Sequence, residues 1–466
     1  MIRESNMLNF LKKISVEKWV IIVLVFTATY NVFNLQHWKI QDKIIAYDVI
    51  SYYGYLPATF IYGDVTLQEP NEKYDAYRHT FWYNKTPDGR KVFKTSLGLS
   101  VLYSPFFLAS HAYVKATGGM DNGFSSPYQF GIAMSSLFYF IIGLLFLRKI
   151  LLQFYDKKIS ALVLLLIGLG TNLYHYVVIG PGYAHNYLFC LIAVGIFLLL
   201  KWYKNPNYLL SIGLGFIFGL IVLIRPTLIL LVLFILLLGV ADRKSLQARI
   251  TFFVSHYQKV LLAMFFAVVV WIPQFLYWKA ATGDYMYYSY NEEGFFWSDP
   301  KLLEVLFSFR NGWLLYTPIM VFSLLGIVWM IRKKHPWGWA TLVLIVPYLY
   351  VLSCWWNWWF GGSYGYRSMI DLYPILAVAL GFFIQQLFAQ KKWLRISGVS
   401  VLFVLMLFNI FQMRQAHEGL IHHDGMTREA YTKIFLKLKP YITREEMMPY
   451  YNTPDYEAAL RGERDD

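Results

Sequence analysis

Residues 19–35 read WVIIVLVFTATYNVFNL, and residues 45–64 follow as IAYDVISYYGYLPATFIYGD. The first stretch carries no charge and comes close to the roughly 20 residues that a helix needs to cross hydrocarbon. The second brings an acid, Asp48, about a dozen residues past its end and sets it among Tyr47, Tyr52, Tyr53 and Tyr55. An ionised side chain beside hydrocarbon is costly and is kept where it has a task. The pair of stretches therefore predicts an all-α integral membrane protein that holds a carboxylate at the water–lipid boundary.

Composition agrees. Charged residues make up 15% of the chain, against roughly 25% in soluble domains, and mean hydropathy is +0.42. Aromatic residues reach 19%. Part of that excess is the belt expected at helix ends, and the remainder lies in loops, where it suits stacking against a sugar or a lipid. The net charge of +14 does not indicate nucleic acid, because Lys and Arg cluster between the apolar runs as topology determinants do. Cys190 and Cys354 lie in or beside apolar runs, so no disulfide framework is expected.

Working outward, Arg3, Lys12, Lys13 and Lys18 precede the first run. No small-x-small cleavage site follows cleanly, so the run reads as a retained anchor with its N-terminus inside. Residues 37–127 form a long first extracytoplasmic loop with turns at Glu69-Pro70-Asn71 and Pro87-Asp88-Gly89. Within it, Leu97–Val114 is interrupted by Ser104-Pro105 and closed by Lys115 and Gly118-Gly119. It reads as a helix lying in the outer interface or dipping in from outside, with a full span as the alternative. Further runs follow at Tyr128–Leu147, Ile159–Ile179, Asn186–Leu200, Tyr208–Ile224, Pro226–Val240, Val260–Tyr277, Trp313–Ile331, Trp337–Ser353, Met369–Leu387 and Trp393–Phe411. With the anchor this predicts about eleven transmembrane helices.

Basic residues fall on alternate connections: Arg148 to Lys158, Lys201 and Lys204, Arg243 to Lys259, Arg332 to Lys334, and Lys391 to Arg395. The positive-inside rule then puts the N-terminus inside and the tail outside, and the expected location is the cytoplasmic (inner) membrane. It also puts every unusual segment on the outer side: the Asp48 loop, Gly180–His185, Arg225, Lys279–Arg310 and Trp355–Arg367. Residues 1–411 read as one polytopic domain. The tail, 412–466, with helical signals from Thr427 to Leu438, is long enough for an appendage or small cap only.

Asp48 suits a proton acceptor, or a group that holds a nucleophile in line. Its structural alternative is an N-cap for a helix starting at Val49-Ile50-Ser51, and Asp64 reads as a turn residue. Lys94, Arg225 and Arg367 are outer-side cations fit to meet developing phosphate charge, with snorkelling to head groups as the alternative. Arg367 ends the glycine-rich run Gly361-Gly362-Ser363-Tyr364-Gly365-Tyr366-Arg367, whose backbone can approach a ligand closely. Just before it, Trp355, Trp356, Trp358 and Trp359 suggest a stacking wall. Tyr52, Tyr55, Tyr183, His185, Trp356, Trp358, Gly361, Gly362 and Tyr364 are the residues expected to line a sugar or acceptor site. His175, Tyr183 and His185 flank Gly180-Pro181-Gly182 without zinc spacing, and hydrogen bonding is their expected role. His422-His423-Asp424 reads as a polar loop before it reads as a metal site. There is no Walker loop, dinucleotide fingerprint or nucleophile elbow.

The loop acid after the first run, the Lys94-led Leu97-Gly98-Leu99-Ser100 and Ser104-Pro105-Phe106-Phe107, the Arg225-Pro226-Thr227 turn and the Gly361–Arg367 loop together resemble polytopic GT-C glycosyltransferases. The likeness spans about Trp19 to Phe411 and is nearest to bacterial protein mannosyltransferases and aminoarabinose transferases. It implies an inverting transfer from a polyprenyl-phosphate sugar to a lipid, glycan or protein acceptor, with Asp48 as the base and Lys94, Arg225 and Arg367 facing phosphate. No cofactor is implied, and the need for a divalent ion is left open. One departure stands out: Val49 follows Asp48 where family members often have a second acid. The alternatives carried forward are a transporter or flippase for a lipid-linked solute, and a glycan ligase or polymerase.

Overall fold

A charge-free apolar run from Trp19 forms most of the helix Val16–Leu35, and Gln36, in the left-handed region at φ 50°, ends it. Glu17 in its first turn is fully buried and accepts from Arg148 Nη2 at 2.7 Å. That pair fastens the start of the first helix to the end of Ser126–Leu151. The structure is a computed structural model that describes residues 14–68 and 81–464. Arg3, Lys12, Lys13 and the turn Glu69-Pro70-Asn71 lie outside the described residues.

Among the described residues, six helices are long and apolar enough to cross a membrane: Val16–Lys39, Ser126–Leu151, Ala184–Lys204, Tyr257–Thr282, Arg367–Phe388 and Lys392–His417. Tyr208–Ile224, Pro226–Leu237, Met320–Arg332 and Gly338–Cys354 are shorter apolar helices. Every run expected to span falls at least in part on one of these or on Lys157–Leu169. Two runs are broken. The expected span Ile159–Ile179 divides at Gly170 to Asn172 into Lys157–Leu169 and Leu173–Val178. Trp313–Ile331 divides at Thr317-Pro318, where proline has no N–H to continue the ladder.

Close helix contacts rest on small residues. Gly215 and Gly219 of Tyr208–Ile224 face Ala263 and Ala267 of Tyr257–Val269, so that a Cβ on either glycine would overlap the partner backbone. Without a hydrophobic force between helices in lipid, backbone approach of this kind is what holds a pair together. Gly326 meets the Ala379 carbonyl in the same way.

The first loop is built, not slack. It contains the short helices Asp48–Tyr53 and Tyr55–Phe60 and the 20-residue helix Gly98–Thr117, which packs against Ser126–Leu151. Leu99, Tyr103 and Phe107 face inward while Leu108 and Tyr113 stay exposed. The loop also departs from an all-helical reading. Tyr83–Lys85 and Lys91–Phe93 pair antiparallel, Tyr83 opposite Phe93, through a turn in which Gly89 takes φ 83°. Pro87-Asp88-Gly89 is the turn expected there.

The tail folds back onto the body. Its helix Arg428–Ile434 is capped by Thr427, and Leu420, Ile421, Met426, Ala430 and Ile434 bury against Tyr316 and Tyr364. Arg464 is buried and donates to the Ser353, Cys354 and Trp355 carbonyls, so the tail ties down the end of Gly338–Cys354. Both cysteines are buried and unpaired.

The glycine contact gives a test. Gly219→Leu should force the pair Tyr208–Ile224 and Tyr257–Val269 apart and lower stability by about 1–3 kcal/mol, the usual cost of overpacking. Thermal unfolding in detergent would show this as a clear drop in Tm, with Gly213→Leu, where a Cβ would meet only the Leu198 side chain at an ordinary 3.9 Å, as the control.

Candidate active site

Asp48 is the first residue of the helix Asp48–Tyr53, and its side chain does not cap that helix. The N-cap position belongs to Tyr47, held at φ 49° and ψ −133°. A bulky residue at positive φ costs on the order of 1–3 kcal/mol and persists only where its surroundings require it. Freed from capping, the Asp48 carboxylate reaches Arg367 Nη2 at 2.7 Å. Arg367 opens the turn Arg367–Leu372, and its guanidinium also lies over the Tyr183 ring, 5.0 Å from the centroid. Burial pushes the Asp48 carboxyl up, yet the charges of Arg367 and then Lys94 outweigh it and hold the carboxyl below the usual 3.8.

Asp48 and Arg367 open onto a cavity of about 720 Å³. The cavity also receives Lys94 and Arg225, so all three expected cations converge with the expected acid. Each cation has an acidic partner: Arg367 has Asp48, Lys94 has Glu293, and Arg225 has Asp371, whose Oδ2 lies 3.4 Å from Nη1. Arg225 additionally donates to Ser368 Oγ at 2.7 Å and lies over the Phe360 ring. Phe360, like Tyr47, has positive φ (49°) and lines the cavity.

Tyr52, Tyr183, His185, Trp356, Gly361 and Gly362 line the cavity as expected. Burial, then the Asp48 charge, pushes the Tyr52 hydroxyl up to about 12, so it stays a neutral hydrogen-bonding group. Three expected lining residues are placed elsewhere. Tyr55 packs on Phe93 and Tyr277 and donates to the Thr95 carbonyl. Trp358 is fully buried and donates from Nε1 to the Arg464 carbonyl. Tyr364 is buried against Tyr316 and His175. The tryptophan run thus splits: Trp355 and Trp356 face the cavity, while Trp358 and Trp359 anchor the fold behind it.

Other assignments resolve in the same way. Asp64 accepts from the Thr66 amide at 2.8 Å and is a turn residue. His175 contacts Tyr176 and Tyr364 away from the cavity lining. The tail supplies His423, Asp424 and Tyr456 to the cavity wall. Asp424 Oδ1 accepts the Gly362 amide at 2.8 Å, and a side chain at Gly361 would overlap Asp424 and Tyr456. His422 Nδ1 accepts from the Gly425 amide at 2.8 Å, and burial lowers that imidazole to about 4, which suits an acceptor in a turn. Among the described residues no three His, Cys, Asp or Glu side chains come together as a metal site.

Sequence reasoning missed Asp371, Glu293, Trp82 and Tyr290. Glu293 lies in the loop between helices and had no signal of its own. Asp371 did have one: it is a carboxylate inside the apolar run Met369–Leu387, and such a residue is a functional candidate by default.

No family model matches the chain, and no curated protein does. Among solved structures it is similar to the oligosaccharyltransferase of Archaeoglobus fulgidus. The apo form gives a TM-score of 0.49 at 14% identity over 91% of this chain. The complex with Zn and sulfate gives 0.49 at 15% over 94%. This chain spans 60% and 57% of the length of those two structures.

A carboxyl held below its unfolded value adds stability above that value and loses it as pH falls through the folded value. The Tm advantage of wild type over Asp48→Asn should therefore be constant near neutrality and disappear only below about pH 3.8. A paired thermal-shift series across pH 3–8 checks this, and an advantage that faded between pH 5 and 6 would contradict the ion pair.

Proposed function

We propose that the chain is a membrane glycosyltransferase that moves a sugar from a polyprenyl-phosphate donor to a lipid, glycan or protein acceptor at the outer face of the cytoplasmic membrane. The observation that carries this reading is the convergence of Asp48 with Lys94, Arg225 and Arg367, from four separate segments, on a single cavity that Glu293 and Asp424 also line. In this reading the donor phosphate lies among Lys94, Arg225 and Arg367, where negative charge grows as the bond to the sugar breaks. Asp48 draws the proton from the acceptor hydroxyl while that oxygen attacks the anomeric carbon from the opposite face. The electron pair of the old bond leaves with the polyprenyl phosphate. Tyr52, Tyr183 and Trp356 supply the aromatic and hydroxyl contacts that a sugar ring takes.

Transport asks for polar groups on broken helices in two related halves. Here the charges gather in one cavity and no paired halves are evident among the described residues, so catalysis is the better account.

Asp48→Asn should reduce transfer in purified, folded protein by roughly 10²–10⁴-fold, the range for loss of a general base, with little change in donor binding. Arg225→Gln or Lys94→Gln should instead weaken the donor, since a charge-assisted hydrogen bond contributes about 1.5–3 kcal/mol, or roughly ten- to hundredfold in affinity. Transfer of labelled sugar from a polyprenyl-phosphate donor, measured as kcat and KM, separates the two effects. Undiminished turnover by Asp48→Asn would remove the proposed base.

A further inference from the structure

His185 and Asp371 form a second acid–imidazole pair beside the first. Asp371 is fully buried, and its Oδ1 lies 2.8 Å from His185 Nδ1. Its Oδ2 accepts from the Tyr348 hydroxyl at 3.2 Å. A carboxylate at that distance fixes the proton on Nδ1 and leaves Nε2 as the acceptor of the neutral ring. Arg225 Nη1 lies 3.3 Å from Nδ1 and 3.5 Å from Nε2, so the guanidinium flanks the ring and is not aimed at one nitrogen. His185 itself lines the cavity. Around it stand Asp371, Arg225, Arg367, Asp48, Tyr176 and, through Asp371, Tyr348.

The proposed transfer creates a problem that this pair answers. Once Asp48 has taken the acceptor's proton it is neutral, and when the polyprenyl phosphate departs Arg367, whose side chain is only 10% exposed, is left without a counter-charge. An unpaired buried charge is strongly unfavourable. We propose that His185, oriented by Asp371, is a catalytic proton acceptor that receives the proton from Asp48 through the bound hydroxyl or a water and so resets the Asp48–Arg367 pair. This deepens the glycosyl-transfer reading and rests on it. The step balances. The acceptor oxygen bonds to the anomeric carbon, and the carbon–phosphate oxygen bond breaks with its electron pair on the phosphate. The acceptor's proton passes to Asp48, then to Nε2, and from the imidazolium to water. The imidazolium forms against Asp371, while the departing phosphate supplies the counter-charge that Arg225 then shares less with Asp371. Asp371 touches no substrate and is a positioning residue.

The test uses full-length protein in lipid vesicles and measures cleavage of a labelled polyprenyl-phosphate sugar, in a single turnover and at steady state. His185→Asn keeps an N–H for Asp371 but removes Nε2. It should lower steady-state kcat at least tenfold and the first turnover far less, with steady-state turnover recovering as pH rises and Asp48 sheds its proton directly. Asp371→Asn should show the same split. A variant-free check is the solvent deuterium effect on wild type, which should be larger at steady state than in the first turnover. If the two rates of His185→Asn fall together or do not fall, or the isotope effects are equal, the relay is wrong while glycosyl transfer stands. If wild type cleaves no polyprenyl-phosphate sugar, the functional reading itself fails and the relay with it.

Discussion

The bond between Asp48 and Arg367 joins residues 319 positions apart and decides where the cavity is. One partner comes from the loop after the first helix, the other from the glycine-rich segment before Arg367–Phe388. Neither is placed by its own local structure. Asp48 gives up the capping role that an acid at a helix start ordinarily takes, and Tyr47 is left in a backbone region unfavourable to its side chain. Arg367 is fixed by Tyr183 on one side and the carboxylate on the other. The first loop and the late loop are thereby locked into one wall, and the tail closes it through Asp424 on Gly362.

The cavity's charge is paired throughout. Arg367, Lys94 and Arg225 each meet an acid, so the cavity is close to neutral even though it collects three cations. Burying three unpaired cations would be prohibitive in a medium of low dielectric. The pairing makes the arrangement tolerable and also sets its response to an anion. A phosphate entering among these groups has to take over donors that already serve carboxylates, and the displaced carboxylates become better proton acceptors as it does so. On the proposed function, phosphate binding would therefore favour proton uptake by these carboxylates.

Much of this was readable from the residues. The apolar runs located the helices, because a helix in lipid must be both apolar and continuous in its hydrogen bonds. Asp48, Lys94, Arg225 and Arg367 stood out as charges beside apolar runs, and they do meet. What could not be read was the direction in which side chains point within a tight loop. Trp356 and Trp358 are two residues apart in one tryptophan-rich segment, yet one faces the cavity and the other is buried under Arg464. Tyr55 and Tyr364 were expected at the site and are packing residues instead. The tail's part depended on long-range packing that its polar sequence does not announce. Asp371 was visible and overlooked: an acid two residues into the apolar run Met369–Leu387 is costly enough to need a reason, and His185 and Arg225 are that reason.

The account stands on the cavity being where a lipid-linked phosphate binds. The most direct measurement is an experimental structure in a lipid nanodisc saturated with a polyprenyl phosphate. The phosphate should lie within hydrogen-bond reach of Arg225 and Lys94 beside Asp48, with the hydrocarbon chain leaving the cavity sideways into the bilayer. A phosphate bound elsewhere on the molecule, with the three ion pairs undisturbed, would contradict it.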